Sequence, residues 1–126
     1  MRVDSTPWTV ELYPLGKHEG CVAEFIQGLP EEQQARIAKK IELLEEFGPF
    51  NLGVGHVAAV HGTRNHVYEL RILGRSSFRL FFTCVGHVVV ILHGVQKKSQ
   101  HLRRKDVETA DRRAAEVLES LKEPGR

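Results

Sequence analysis

Residues 68–98 read YELRILGRSSFRLFFTCVGHVVVILHGVQKK, three apolar runs separated by turn residues. The first run is Tyr68 to Leu73, the second Phe78 to Phe82, and the third His87 to Val95, followed at once by Lys97 and Lys98. Gly74-Arg75-Ser76 and Val85-Gly86 lie between them. β-Branched and aromatic residues bounded by Gly and Ser predict an antiparallel meander. Side chains alternate across a strand. Tyr68, Leu70 and Ile72 therefore share one face, and Glu69, Arg71 and Leu73 the other. Phe78, Leu80 and Phe82 share a face, leaving Arg79 with Ser77 and Phe81. If the first two strands pair as a hairpin, Arg71 and Arg79 come to the same face. A guanidinium is buried cheaply only with a partner, so two strand arginines followed by a lysine pair point to a site for an anion.

The charge pattern agrees. Residues 1–50 carry five Lys/Arg and nine Asp/Glu, residues 51–105 nine and one, and residues 106–126 four and six. The net charge of +2 thus conceals a middle segment of +8 whose one acid is Glu69. Such a segment attracts and steers a polyanion; an ordinary solvated basic surface is the plainer alternative.

Working outward, Trp8 to Tyr13 alternates and predicts a first strand, stopped by Pro14 and Gly16. Glu19 to Gln27 places Val22, Phe25 and Ile26 on one helical face, and Gly28 ends it. Pro30, Glu31 and Glu32 open a second helix to residue 47, with Ile37, Ile41 and Leu44 on its apolar face and Gly48-Pro49 at its end. Residues 50–65 predict a loop with a short extended piece. Val107, Ala110, Ala114, Val117, Leu118 and Leu121 predict a last helix over 104–121. The order β-α-α-β-β-β-α describes an α+β fold: a small antiparallel sheet with an N-terminal helical hairpin and a C-terminal helix.

A chain of 126 residues supports a single domain, with residues 1–7 and 122–126 expected to be loose. No apolar stretch reaches the ~20 residues of a membrane helix, and residues 1–7 lack the apolar core of a signal peptide. Both observations predict a cytoplasmic protein with no membrane partner. Cys21 and Cys84 are expected to be reduced thiols in the core rather than a disulfide. His56, His61 and His66 are five apart, a spacing that suits neither a helix face nor a zinc-finger pair. His87 and His93 are placed on one strand with the same side-chain direction, too far apart to share a ligand. No metal or other cofactor is predicted, and His66 or His93 is a weaker candidate for an acid near the cationic site. Gly53-Val54-Gly55 joins no strand to a helix, which disfavours a nucleotide-binding loop.

The run Tyr68-Glu69-Leu70-Arg71, a turn, Phe78-Arg79-Leu80-Phe81-Phe82, then Ile91-Leu92-His93-Gly94-Val95-Gln96-Lys97-Lys98-Ser99-Gln100 and an Ala-containing amphipathic helix resembles the RelE/ParE toxin superfamily, and most of all its phage-derived HigB-like branch. The resemblance extends over residues 8–120. It implies a RelE-like fold and a type II toxin: a metal-independent endoribonuclease that cleaves mRNA on the ribosome and inhibits translation. It also implies a cognate antitoxin, a helix-turn-helix protein of the HigA-like kind. Carried over by position, Arg71, Arg79, Lys97 and Lys98 are the implied catalytic residues, and Arg75, Arg103 and Arg104 are added as substrate-binding cations. The sequence departs from the family pattern at Val95, where Phe is usual, and at Leu102-Arg103, where Thr-Pro usually opens the last helix. On chemical grounds arginines suit phosphate gripping. A lysine crowded by other cations is expected to have its pKa lowered and so to exchange protons. Glu69 is expected to orient an arginine, with a general-base role as the alternative; an ion pair of Arg71 with Glu69 or with a helix carboxylate is the structural alternative to a catalytic Arg71. Two further functions stay open from sequence: a non-catalytic basic module that binds RNA or an acidic partner protein, and a ParE-like gyrase inhibitor.

Overall fold

A computed structural model describes residues 7–16, 19–74, 76–97 and 102–121. Five strands and three helices follow one another as β1 (Thr9–Leu12), α1 (Cys21–Gln27), α2 (Glu31–Phe47), β2 (Val57–Ala59), β3 (Tyr68–Ile72), β4 (Ser77–Val85), β5 (Val88–Lys97) and α3 (Arg104–Leu121). They build one sheet in the order β1-β5-β4-β3-β2. The predicted meander is present, with Tyr68 opposite Phe82 and Ile72 opposite Phe78 in β3–β4, and with β4–β5 antiparallel as well. The short extended piece of residues 50–65 is β2, which pairs antiparallel with β3.

The sheet is not wholly antiparallel. β1 lies parallel to β5, with Thr9 beside Val88 and Leu12 beside Ile91. A parallel neighbour requires a long crossover, and here almost the whole domain intervenes between the two strands.

Alternation along the strands divides the core in two. Leu70, Ile72, Phe78, Leu80, Phe82, Val89 and Ile91 pack with Val22 of α1 and Ile37 and Leu44 of α2. On the other face Val67, Phe81, Val90 and Leu92 pack with Ala110, Ala114 and Val117 of α3. The two alanines let α3 approach the sheet closely. Gly94 does the same for the helical hairpin: a Cβ there would lie 2.6 Å from the Phe25 ring, so the aromatic side chain occupies the space a larger residue would need. At the far end of α3, Arg113 sits over the Tyr13 ring at 4.9 Å and donates to Leu92 O, while the Tyr13 hydroxyl donates to Glu116 at 2.5 Å. That hydrogen bond, helped by burial, holds the Tyr13 pKa above the usual phenol range.

Two expectations need correction. β4 and β5 lose register between Phe81, opposite His93, and Phe82, opposite Ile91, so Leu92 is an extra residue in β5. Such a bulge shifts the alternation by one. His87 therefore does not share a strand face with His93: it lies in the β4–β5 turn and stacks on Trp8 at 4.3 Å. Nor is Cys21 a core thiol. It opens α1 with its side chain exposed, because Val22 takes the inward position. Cys84 is half-buried, and burial pushes its thiol up to about 11.

Because the thiolate is the reactive form, an alkylating reagent at neutral pH should label Cys21 in the native protein and reach Cys84 only after unfolding. Equal labelling of both in the native state, read by peptide mass, would contradict this packing.

Candidate active site

β3 and β4 pair so that Arg71 stands directly opposite Arg79, on the face covered by α3. Two guanidinium groups in that relation repel each other. Glu69, two residues before Arg71 on the same face, resolves the conflict. Its Oε1 lies 2.7 Å from Arg79 Nε and 3.7 Å from Arg71 Nε. The Glu69 and Arg79 side chains keep 10% and 11% of their exposure, whereas Arg71 keeps 36%, so Arg79 is the enclosed member and Arg71 the open one. The expected orientation of an arginine by Glu69 is therefore present, as is the Glu69–Arg71 ion pair in its longer form. Among the described residues Glu69 is the carboxylate that both Nε atoms approach, Arg79 at ion-pair contact and Arg71 at longer range. One terminal nitrogen of Arg79 donates to Phe78 O at 3.2 Å.

These residues line a cleft of about 470 Å³. Lys97, at the end of β5 and opposite Ser77, joins its wall. Leu102 and Val107, before and within the first turns of α3, form an apolar lip, and Ala59, Val60 and His61 close the β2 side. Arg71, Arg79 and Lys97 thus set three cations against the single carboxylate of Glu69. Val95 faces Arg79 across the β4–β5 pair and packs with the α3-side core.

Of the other cations named from sequence, Lys98 and Arg75 lie outside the described residues. Arg103 is exposed, and its carbonyl accepts from the backbone N–H groups of Asp106 and Val107 at the start of α3. Arg104 pairs with Glu108 one turn along at 3.7 Å, both side chains in solvent. Neither Arg103 nor Arg104 lines the cleft.

The histidines sort differently from expectation. His93 Nε2 is held by Asp106 Oδ1 at 2.8 Å, its ring stacks on Phe81, and Arg113 approaches its other nitrogen. His66 adopts a positive φ of 55° in the β2–β3 turn, where its carbonyl accepts from the Thr83 hydroxyl. Neither lines the cleft, whereas His61, to which the sequence assigned no role, does. Its loop is pinned to α3 by Asp111, whose carboxylate accepts from Arg64 N, Asn65 N and Asn65 Nδ2 at 2.9–3.1 Å. The nearest sequence signal was the Gly62–Asn65 turn; its attachment to a residue 46 positions later has no local signature. Among the described residues, no three His, Cys, Asp or Glu side chains gather as a metal-binding group, and no helix is long and apolar enough to cross a membrane.

Residues 24–115, from within α1 to within α3, match the family model described as "Phage derived protein Gp49-like (DUF891)". Glu69, Arg71, Arg79, Lys97 and His61 all fall inside the matched stretch. No curated protein matches the chain.

Removing one member of a buried ion pair strands the other. Glu69→Ala should destabilise the fold by about 3 kcal/mol in urea unfolding, and a change below about 1 kcal/mol would show that Arg79 is solvated without it. Asp111→Ala should cost about 1–3 kcal/mol by leaving the Arg64 and Asn65 donors without their acceptor. Accelerated amide exchange confined to the turn that follows β2 would locate that loss.

Proposed function

From the premise that this chain belongs to the Gp49-like family of phage-derived proteins, within the RelE/HigB-type toxin superfamily, we propose that it is the toxin of a type II toxin–antitoxin system acting as a ribosome-dependent mRNA endoribonuclease. Members of the family are commonly toxins of such systems, and a toxin implies an antitoxin partner. The finer attributes belong to the proposal alone: the HigB-like branch, the ribosome and message as targets, and a HigA-like helix-turn-helix antitoxin. So does action in the cytoplasm.

The observation that carries the reading is the pair of opposed arginines. Arg71 and Arg79 stand side by side in a concave, cationic cleft, with Glu69 as the one carboxylate beside them among the described lining residues. Two forked donors held a strand apart fit the non-bridging oxygens of a phosphodiester. In the proposed reaction the ribose 2′-oxygen attacks the adjacent phosphorus and the bond to the 5′-oxygen breaks. The attacking hydroxyl gives up its proton and the leaving oxygen takes one. Arg79, positioned by Glu69, and the more open Arg71 stabilise the charge that builds on the phosphorane, the kind of preorganised contribution that often dominates catalysis. Lys97 adds positive charge at the same end of the sheet, and Lys98, which follows it in sequence, is assigned the same role. His61 is assigned a proton-transfer role, since imidazole is the side chain suited to exchanging protons near neutrality. The exposed Arg103 and Arg104 are assigned to the flanking RNA backbone, where cations contribute affinity without geometry, and Arg75 is assigned there from its place in the sequence.

Primer extension on a defined message in a purified translation system, with and without ribosomes, tests the reading. Wild-type protein should cut only when ribosomes are present. Arg71→Ala should slow cutting by at least about 100-fold with little effect on folding. Arg79→Lys, which keeps the charge and the Glu69 partner, should lose most activity because the fork is gone. His61→Ala should flatten the pH dependence of the cutting rate. No cutting by folded wild-type protein would refute the ribonuclease and favour a binding module, and DNA damage requiring gyrase would move the assignment to the ParE-like class.

A further inference from the structure

A second cleft, of about 420 Å³, lies between α2 and the end of β3, and its walls differ from those of the first. Ile72, Leu73 and Val54 supply an apolar floor, and Arg36, Lys39, Lys40 and His56 surround it. No carboxylate is among the described residues that line it. Val54 is fully exposed and Leu73 is 65% exposed, two of only four large apolar side chains left in solvent among the described residues. The other two, Phe47 and Phe50, belong to the end of α2 and the turn that follows it.

The cleft is firmly built. The Arg36 guanidinium donates to Leu73 O at 2.8 Å and to Ser76 O at 2.9 Å, and sits so close over Gly74 that a Cβ there would collide with it. Lys40 Nζ donates to Arg71 O at 3.0 Å and meets His56 Nδ1 at 2.6 Å. His56 O in turn accepts from Arg71 N, which ties the 53–56 loop to β3 just beyond the end of β2.

We infer that this groove docks an acidic, amphipathic segment of a partner protein: apolar side chains on Val54 and Leu73, carboxylates on the surrounding cations. From the toxin reading it borrows only the expectation of a protein partner. Charge complementarity selects the acidic partner, because three cations, Arg36, Lys39 and Lys40, surround the floor, with His56 accepting from Lys40, and no acid among the described residues of the wall offsets them. The exposed apolar floor selects a protein over RNA. Single-stranded RNA binds through stacking rings and donors open to phosphate. Among the described residues no Phe, Tyr or Trp lines this groove, the His56 ring is engaged by Lys40, and Arg36 and Lys40 already spend donors on backbone carbonyls. An amphipathic segment instead gains from covering Val54 and Leu73 while the fixed cations draw in its acidic side. Since the groove and the catalytic cleft lie on different sides of β3, a partner seated here leaves the cleft open.

The test uses the full-length, isotope-labelled protein and three probes: a helical peptide with leucines along one face and glutamates along the other, the same peptide with lysines for glutamates, and a single-stranded RNA oligonucleotide. The acidic peptide should shift the NMR signals of Val54, Ile72 and Leu73, and the lysine peptide should not. Lys39→Glu and Val54→Asp change exposed side chains, so both should fold normally; each should weaken the acidic peptide by about tenfold and leave message cleavage unchanged. Unaltered affinity in both variants, shifts confined to the Arg71–Arg79 cleft, or RNA in place of peptide at Val54 and Leu73 would overturn the inference. Absence of cleavage by the wild type would defeat the ribonuclease alone, since peptide binding is read independently of it.

Discussion

The carboxylate of Glu69 is the charge on which the site depends. The antiparallel pairing of β3 with β4 sets Arg71 against Arg79, an arrangement that is unfavourable by itself and that a low-dielectric setting makes worse. One carboxylate within 2.7 Å of the enclosed guanidinium and 3.7 Å of the open one makes the pair tolerable without neutralising it. A second acid would offset both guanidinium groups and leave only the charge of Lys97. None lines the cleft among the described residues, so its excess positive charge is a consequence of composition as well as geometry. The arrangement costs desolvation and is weak evidence for stability; its value lies in holding two forked donors at fixed separation.

The rest of the domain serves that placement. The helical hairpin fills one face of the sheet, so that the α3 face is free to carry polar residues at one end and a packed core at the other. Ala110 and Ala114 bring α3 down onto β4 and β5, and its first turns form the lip of the cleft. Leu102 makes that lip apolar. With Asp106 holding His93 and Asp111 holding the β2–β3 turn, α3 links two separate parts of the sheet near the site. A ligand that bound the cleft would touch elements from β2, β3, β4, β5 and α3 at once, which makes the site a property of the assembled fold rather than of any segment. Arg71 is the residue shared by both clefts, its side chain in the first and its backbone carbonyl bound to Lys40 at the second.

Much of this was legible in the chain. Strict alternation in residues 68–82 predicted which side chains share a face, and it placed Arg71 with Arg79 because strand geometry has a period of two that nothing in that hairpin interrupts. The lone acid of a segment with nine cations was recognisable as a partner for one of them. The three helices were marked by their apolar spacing and by Gly28 and Gly48 at the ends of the first two. What misled was local as well. A continuous apolar run such as Val88 to Leu92 carries no signal for an inserted residue, so the bulge and the true direction of His93 were hidden. Cys21 was expected in the core on the apolar character of its thiol, although the helical spacing already gave the inward position to its neighbour Val22.

By itself, then, the sequence determined the α+β class, the meander, the faces of β3 and β4, and the cationic character of residues 51–105, since each depends on short-range periodicity or on composition. Only the tertiary structure decided that β1 runs parallel to β5, that Glu69 favours Arg79 over Arg71, that His61 rather than His66 or His93 reaches the cleft, and that a second basic groove opens beside α2. Each of these joins residues far apart in the chain through packing and hydrogen bonds, and contacts of that range leave no periodic trace in the order of the amino acids.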